Sequence, residues 1–430
     1  MSQTETTATL KLKDDSQEPS LDQTVERIIR SQKNLLIGSS KSDRVALGPD
    51  PEGFKILPKN TRKRFEEGGV DISKGYPYRP EQDKIPIYLD EALAIRNDDY
   101  PYIERGKNAD PEKKALLDAA TEVIDLTKHI GTEIVGLQLA ELNEKQKDEL
   151  ALLIAERGVV FFRKQKLSPK QQLELGEYYG RVEEHPQQIQ VPGFPGITTI
   201  WADYYKKLLN SNITFKNLSY GGWDAQRHFS FQTFHTDLVH EKQPAGITHL
   251  HLDEIPDVGG DTAWSSGYAA YDKLSEEFKK FLDDKKAVFV SAHKYLDRND
   301  PFAGPKRIER VHPLVRTHPA TGWKSLFVNR AMTTRILGVS PVESDIILNY
   351  LFDVYEKNAD IQVRFKWGPS EPGYGVSALW DNRISQHTII YDHEGTVPRH
   401  GTRVTSLAEL PYFDPESPSQ REALGLPLDE

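Results

Sequence analysis

Beyond residue 190 the chain is built from short runs of apolar and β-branched residues that are separated by turn residues. Such a density of short strands is typical of a β-sandwich or a β-barrel. One helical segment, residues 340–359, interrupts the strand pattern. The sequence therefore predicts a mainly β fold with flanking helices. The strand-like runs are ITTIWA, GITHLHL, DTAWSS, AVFVSA, KSLFVN, VSALWDN, HTIIY and RVTSLA.

Residues 111–180 alternate helical and strand-like patterns. PEKKALLDAATEVIDL predicts a helix, and KHIGTEIVGLQL predicts a strand that enters the core. Asn143 and Gln146 have the spacing of a helix cap and its return partner, so we expect a helix over EKQKDELALLIAERG. GVVFFR predicts a short buried strand. Ser168 and the proline after it predict a second helix, which ends at Gly180.

The N-terminal part differs in composition from the rest. Residues 1 to about 50 are polar, and we expect them to be mostly disordered. Residues 51–110 are rich in proline and tyrosine, which indicates an extended arm with one short helix near Leu89–Arg96. We expect the tyrosines of this arm to pack on the main domain. The sequence thus predicts a partly disordered extension over residues 1–110 and one domain over residues 111–430.

Charge and residue content exclude several classes of protein. The net charge of −10 disfavours a general nucleic-acid-binding protein, which would carry a basic balance or stripe. The absence of cysteine excludes disulfide scaffolds, thiolate zinc sites, iron–sulfur clusters and cysteine nucleophiles. No apolar run reaches the roughly 18 residues of a membrane span, and no secretory signal pattern opens the chain. We therefore expect a cytoplasmic protein that binds neither nucleic acid nor membrane. The oligomeric state stays open, a homo-oligomer included.

With no cysteine, a transition-metal site has to use His, Asp and Glu side chains. His235 and Asp237 are two residues apart in strand-like sequence, so both side chains can reach one ion from the same face of a strand. A third ligand would complete the two-histidine, one-carboxylate set of non-haem Fe(II) oxygenases. The triplet alone is a weak signal, because it arises by chance about once in such a chain. A second triplet does occur, at His251 and Asp253.

The surrounding sequence is more specific. In order along the chain come PAGITHLHLDEIPDVGGDTAWSSGYAAYDKLS, LFVNRAMTTRI and ALWDNRISQHTIIYDHEGTVPRHGTRVTSLAE. These blocks resemble the taurine/sulfonate dioxygenase (TauD-like) family of Fe(II)/2-oxoglutarate oxygenases, over residues 128–412 or so. The residues before about 110 resemble the longer N-terminal arm of fungal members of that family.

The resemblance implies a fold, a set of cofactors and a site. The fold is a double-stranded β-helix, or jelly roll, with flanking helices. The cofactor is Fe(II), and 2-oxoglutarate and O2 are the cosubstrates. His387, which opens a separate strand, is a better distal ligand than His251. The implied roles are metal binding by His235, Asp237 and His387, cosubstrate binding by Thr262 and Arg399, and contacts to an anionic substrate from Arg403 and His185.

The two arginines suit anion sites, since a planar guanidinium binds a carboxylate through two parallel hydrogen bonds. Arg403 lies four residues after Arg399. Positions four apart on a strand face the same way, so we expect both side chains to point into one pocket. Trp264, Asn382 and Arg383 are interpreted as scaffold around the site.

The substrate half of the site departs from the family pattern. Gln188 stands where the family has a tyrosine, and Met332 stands where it has a phenylalanine. Phe231 or Gln232 occupies the region of a family asparagine. We expect Gln188 and Met332 to line a broader substrate pocket, because methionine adapts to irregular shapes.

The resemblance therefore implies a dioxygenase that hydroxylates a small anionic substrate, most simply a sulfonate or an alkyl sulfate, and releases sulfite or sulfate and an aldehyde. Three alternatives stay open. The first is the same cofactor chemistry on a carboxylate or a secondary metabolite. The second is a metallohydrolase, against which the pair of Thr262 and Arg399 argues. The third is a non-enzymatic jelly-roll binding protein, against which the intact His235, Asp237 and His387 argue.

Overall fold

The computed structural model describes residues 48–81, 85–207, 234–300, 302–390, 392–393 and 398–427. Its strands are β1 (Gly48–Pro49), β2 (Tyr78–Arg79), β3 (Glu122–Asp125), β4 (Thr132–Val135), β5 (Val159–Gln165), β6 (Gln190–Val191), β7 (Phe194–Trp201), β8 (Ala245–Glu254), β9 (Thr262–Ser266), β10 (Lys286–Tyr295), β11 (Lys306–Pro313), β12 (Val315–Thr317), β13 (Lys324–Leu326), β14 (Thr333–Ile336), β15 (Gln362–Phe365), β16 (Gly375–Asp381), β17 (Ser385–Ile389) and β18 (His400–Leu407).

Helices flank these strands. They are α1 (Pro51–Lys55), α2 (Lys59–Glu67), α3 (Leu89–Ala94), α4 (Lys114–Leu117), α5 (Glu144–Arg157), α6 (Pro169–Tyr179), α7 (Ala202–Lys207), α8 (Gly267–Asp272), α9 (Glu276–Leu282), α10 (Pro341–Lys357) and α11 (Gln420–Ala423). No helix within the described ranges has the length and apolar character that a membrane crossing requires.

Two sheets pack face to face around the core. The larger has the strand order β1-β2-β6-β7-β18-β8-β16-β5-β4-β3, and the smaller has the order β15-β9-β17. Phe161 on β5 stacks on Phe365 on β15 with ring centroids 3.8 Å apart, and Trp264 on β9 lies 5.8 Å from Trp380 on β16. Aromatic side chains from both sheets therefore fill the space between them. The expectation of a mainly β fold with flanking helices is confirmed.

The helix boundaries follow the predicted caps. Asn143 and Gln146 form a capping box at the start of α5, and Ser168 and Gln171 form one at the start of α6. Gly180 ends α6. Each box satisfies backbone N–H groups that the first helical turn leaves without a partner. These predictions are confirmed.

One predicted helix is wrong over most of its length. PEKKALLDAATEVIDL is helical only over Lys114–Leu117, and Glu122–Asp125 form β3 instead. β3 pairs antiparallel with β4, which in turn pairs with β5. The backbone ladder of this sheet suits the β-branched Val123 and Ile124, so tertiary pairing overrides the local helical pattern. The predicted helix over Leu89–Arg96 is present but ends at Ala94.

The N-terminal arm is part of the main sheet. β2 of the arm pairs with β6 through Tyr78 and Gln190. Tyr76 is buried, and its hydroxyl lies 2.8 Å from Thr199 Oγ1 and 2.7 Å from His400 Nε2. The expectation that arm tyrosines pack on the main domain is confirmed for Tyr76. The predicted disorder falls on residues 1–47, outside the described residues, and the division near residue 110 stays a prediction.

Candidate metal centre and its surroundings

His235, Asp237 and His387, the three predicted metal ligands, come together in the structure. All three are buried, and one ligand atom from each lies within 4.8 Å of the others. The rings of His235 and His387 have centroids 4.3 Å apart, and His235 Nε2 lies 3.9 Å from Asp237 Oδ1. Two backbone hydrogen bonds hold the histidines opposite each other, one from each N–H to the other's carbonyl oxygen, at 3.0 and 2.9 Å. The geometry is that of a candidate metal centre.

The segment that carries His235 and Asp237 is not the strand that the sequence predicted. His235 forms an isolated bridge with His387 on β17, and the chain then turns from Asp237 onward. Leu238 has a φ of 56°, in the left-handed region that side chains rarely adopt. The bridge and the turn, rather than strand alternation, bring the two side chains to one point.

Polar side chains from β8 and from the turn after β16 hold Asp237. Its backbone N–H donates to Asn382 Oδ1 at 3.2 Å, and the Thr248 hydroxyl donates to its Oδ2 at 3.4 Å. Asn382 Nδ2 donates to Thr248 Oγ1 at 2.8 Å, which links the two supports. Both supports are buried. The predicted scaffold position of Asn382 therefore corresponds to direct orientation of Asp237.

The charge states of His387 and Asp237 suit a divalent transition metal. Burial, followed by the nearby His235, lowers the pKa of His387 to about 3, so its ring is neutral. Burial alone would raise the pKa of Asp237, but Arg403 and the two histidines outweigh burial and hold that pKa below its ordinary value. His387 Nδ1 is buried without a hydrogen-bond partner among the described residues. Two imidazoles and one carboxylate form the donor set of non-haem Fe(II) sites, so the residue types present fit Fe(II).

The two predicted cosubstrate residues lie at one turn. Thr262 begins β9 and is buried, and its Oγ1 accepts a hydrogen bond from Trp367 Nε1 at 3.2 Å. Arg399 is also buried, and its Nε donates to the carbonyl of Gly260 at 3.0 Å. Gly260 has a φ of +72°, and a Cβ there would lie 3.0 Å from Arg399 Cδ. Glycine at this position therefore lets the arginine pack against the turn that leads to Thr262.

The periodicity argument for the two arginines is wrong. Arg399 precedes β18, and a register shift separates His400 from Gly401, so strand alternation does not relate Arg399 to Arg403. Arg399 contacts Gly260 and, through its N–H, Asp203 Oδ2 at 3.2 Å. Arg403 instead donates from Nη1 to Asp237 Oδ1 at 3.3 Å. Arg403 therefore lies beside the candidate metal centre.

His185 occupies a half-buried loop beside other imidazoles. Its Nδ1 accepts hydrogen bonds from the N–H groups of Gln187 and Gln188, at 3.1 and 3.2 Å. Its ring centroid lies 5.5 Å from that of His293. Burial and then His293 hold the pKa of His185 well below its ordinary value. His185 is therefore a neutral ring whose proton sits on Nε2, rather than a solvated surface histidine.

The two predicted pocket-widening residues have different surroundings. Gln188 is half-buried and donates its backbone N–H to His185. Met332 is buried in a core cluster that includes Val239 and Phe289, and its carbonyl accepts from the N–H of Val290 at 2.8 Å. A substrate contact by either side chain stays a prediction. Phe231 and Gln232 lie outside the described residues.

The second His-x-Asp triplet, at His251 and Asp253, binds other protein side chains. His251 Nδ1 lies 2.9 Å from Ser377 Oγ. Asp253 binds Arg64 Nη1 at 3.0 Å and His400 Nδ1 at 2.7 Å. Arg64 belongs to α2, so this triplet helps to attach the N-terminal arm to β8. The preference for His387 over His251 at the metal centre agrees with this geometry.

Arg383, predicted as scaffold, lies in a buried ion network. Its guanidinium binds Asp381 at 2.6 Å, Glu104 at 2.5 Å and Glu409 at 3.0 Å. Glu104 comes from the arm, so the arm reaches the segment that carries Asn382. Sequence reasoning missed Glu104, because its partner is 279 residues away in the chain.

Comparisons with known proteins identify a matching family and a matching fold. Residues 122–405 match the family described as "Taurine catabolism dioxygenase TauD, TfdA family". The alpha-ketoglutarate-dependent dioxygenase oryG of Aspergillus oryzae is 36% identical over 329 residues, which cover 70% of this chain and 92% of that protein. The alpha-ketoglutarate-dependent sulfonate dioxygenase of Saccharomyces cerevisiae is 33% identical over 303 residues, which cover 68% of each chain.

A crystal structure of a taurine dioxygenase from Burkholderia xenovorans matches with a TM-score of 0.55 and 28% identity over 69% of this chain and 92% of that one. The predicted jelly-roll fold is confirmed.

Proposed function

The chain belongs to the taurine catabolism dioxygenase TauD, TfdA family and is a 2-oxoglutarate-dependent dioxygenase, and we propose that it uses Fe(II) to oxidise a sulfonate or an alkyl sulfate. The observation that carries this proposal is the convergence of His235, Asp237 and His387 beside Arg403. A metal donor set next to a cation suits the oxidation of an anionic substrate, because the cation can bind the charged group beside the metal. The sulfonate dioxygenase named in Saccharomyces cerevisiae supports the substrate class.

The metal and cosubstrate half of the site would work as follows. His235, Asp237 and His387 would hold Fe(II), which when bound supplies the positions at which 2-oxoglutarate and O2 react. Arg399 would bind the distal carboxylate of 2-oxoglutarate through its guanidinium. The Thr262 hydroxyl accepts from Trp367, which leaves its own proton to donate to the same carboxylate.

The substrate half would use two hydrogen-bond donors. Arg403 Nη1 donates to Asp237, and its Nε has no hydrogen-bond partner among the described residues. Its guanidinium therefore has donors to offer to an anionic head. His185 accepts at Nδ1, so its Nε2–H would be a second donor. Together these groups would hold the head and present the adjacent carbon to the metal.

The overall reaction consumes one substrate, one 2-oxoglutarate and one O2. A sulfonate gives an aldehyde, sulfite, succinate and CO2. An alkyl sulfate gives an aldehyde, sulfate, succinate and CO2. The protein's share is to hold the two anions in fixed positions and to exclude competing reductants.

The test is a matched panel of substrates. The purified protein is supplied with Fe(II), 2-oxoglutarate and O2, together with alkylsulfonates, alkyl sulfates and carboxylates of equal chain length. We expect succinate to form with the first two classes, in equal amount to the sulfite or sulfate released. Succinate formation that depends on carboxylates alone would contradict the sulfur-containing substrate class.

The same cofactor chemistry on a carboxylate or a secondary metabolite is the second candidate. The replacement of two family aromatics by Gln188 and Met332 favours it. The carboxylate arm of the panel tests it directly.

A further inference from the structure

Arg96, which follows α3 in the N-terminal arm, joins two distant segments of the barrel. Its Nη2 donates to Glu241 Oε1 at 2.6 Å, and its Nη1 donates to Glu183 Oε1 at 3.3 Å and to the carbonyl of Glu184 at 3.2 Å. The Arg96 side chain is only 12% exposed. The residue lies outside the range that matches the family, residues 122–405.

Both segments lead to the candidate active site. Glu183 stands two residues before His185, and Glu241 stands four residues after Asp237. His240 adds to this group, since its Nε2 lies 3.4 Å from Glu241 Oε1. Arg96 therefore contacts both the segment that carries His185, the proposed substrate donor, and the segment that carries Asp237, the proposed metal ligand.

Charge gives Arg96 a second effect. Glu183 and Glu241 are both buried, and a buried carboxylate needs a counter-ion and hydrogen bonds. Burial raises the pKa of Glu183 to about 7, and the groups that oppose this rise are Arg96 and then Arg403. Without Arg96, Glu183 would be left with Arg403, the cation proposed for the substrate, and Glu241 would be left with His240.

We propose that Arg96 is a positioning residue for the anionic substrate, which ties Glu183 to Glu241 and thereby holds His185 and the segment of Asp237 in place around Arg403. This inference rests on the proposed function, because it assumes an anionic substrate. It assigns to the N-terminal arm a part in substrate binding.

Arginine is suited to this position in a way that lysine is not. Its planar guanidinium donates hydrogen bonds to two carboxylates and a carbonyl at once, whereas a lysine ammonium is a single point charge. Other ion pairs between the arm and these segments are more exposed, such as Arg181 with Asp98. An exposed pair contributes little, because water and salt screen it.

The test compares Arg96→Gln, Arg96→Lys and Glu241→Gln with the full-length wild type. We expect Arg96→Gln to raise the KM for the best substrate of the panel about tenfold, which corresponds to about 1.4 kcal/mol. The KM for 2-oxoglutarate and kcat should stay within about twofold, because Arg399 is untouched and Asn382 and Thr248 still hold Asp237. Arg96→Lys should restore only part of the affinity. Glu241→Gln removes the same ion pair with a smaller change in side-chain size, and it should raise the same KM. This variant keeps the inference testable if Arg96→Gln fails to fold.

Arg181→Gln is the matched control, because it removes an exposed ion pair between the same arm and the same segment. Its substrate KM should equal that of the wild type. Binding of inorganic sulfate to the metal-free protein, measured by calorimetry, gives a readout that is independent of turnover, and Arg96→Gln should weaken it. An unchanged substrate KM in folded Arg96→Gln and Glu241→Gln would overturn the inference. A wild type that turns over no sulfonate or sulfate ester would instead overturn the proposed function.

Discussion

Arg403 Nη1 donates a hydrogen bond to Asp237 Oδ1 across 3.3 Å, so the arginine proposed for the substrate touches the carboxylate proposed for the metal. Burial alone would raise the pKa of Asp237. Arg403 has the largest effect among the groups that oppose burial and keep this pKa below its ordinary value. One cation thus stabilises the ionised metal ligand and borders the position of the anionic substrate. The two halves of the site are electrostatically coupled.

The first prediction concerns metal binding. His235→Ala, Asp237→Ala and His387→Ala should each abolish Fe(II)-dependent succinate formation and lower the bound metal, because a three-ligand site has little redundancy. Metal content and succinate are measured on the same samples. His251→Gln is the control from the second triplet, and it should keep its metal, since His251 bonds to Ser377. Wild-type activity in His387→Ala would contradict the ligand set.

The second prediction concerns 2-oxoglutarate. Arg399→Lys and Arg399→Ala should raise the 2-oxoglutarate requirement, because loss of one partner of a buried charge pair costs roughly 2–5 kcal/mol. The measurement is the KM for 2-oxoglutarate at saturating substrate. Arg364→Gln is the matched control, because this half-exposed arginine binds Asp261 beside the same turn. If the KM does not move in either Arg399 variant, another cation holds that carboxylate.

The third prediction concerns the substrate. Arg403→Gln should raise the KM for a sulfonate or sulfate ester at least about tenfold, because the charge opposite its head is lost. Conversion of 2-oxoglutarate to succinate without substrate should persist at a low rate. His185→Ala should show a milder defect of the same kind. A neutral substrate that wild type and Arg403→Gln turn over equally well would refute an anionic substrate class.

The fourth prediction concerns stability at low pH. Burial and then Arg64 lower the pKa of His249 to about 3, whereas an unfolded histidine titrates near 6.5. Between these values the unfolded state binds a proton that the folded state excludes, so stability falls as the pH drops from about 6.5 toward 3. At pH 5 this costs about 2 kcal/mol for His249.

Denaturant unfolding at pH 7 and pH 5 measures this effect. In His249→Gln, the loss of unfolding free energy between the two pH values should be smaller than in the wild type by about 2 kcal/mol. The comparison uses the pH-dependent difference, so a uniform destabilisation by the substitution cancels. Equal losses in the two proteins would show that His249 is not the titrating group.

Local patterns in the sequence were sufficient for much of the fold. The caps at Asn143 and Ser168 predicted the starts of α5 and α6, because a cap joins residues only three positions apart. Short β-branched runs predicted the barrel strands for a similar reason, since alternation is a property of neighbours. The His235 and Asp237 triplet is also local, but His387 was assigned as the third ligand by the family resemblance and not by spacing.

Tertiary structure decided what local patterns could not. Residues Glu122–Asp125 became β3 because β4 offered a backbone ladder, and His235 met His387 through a bridge rather than within a strand. Arg399 precedes β18 and a register shift precedes Gly401, so strand alternation does not relate the two arginines.

Arg96 is the clearest example of contacts that the sequence could not predict. Its partners Glu183 and Glu241 lie 87 and 145 residues away, and nothing in the spacing of the chain connects them. The sequence alone therefore indicated most of the elements and which residue types can bind a metal and two anions. Only strand order, register and burial determined which of these charges face each other, because contacts between distant residues depend on how the whole chain packs.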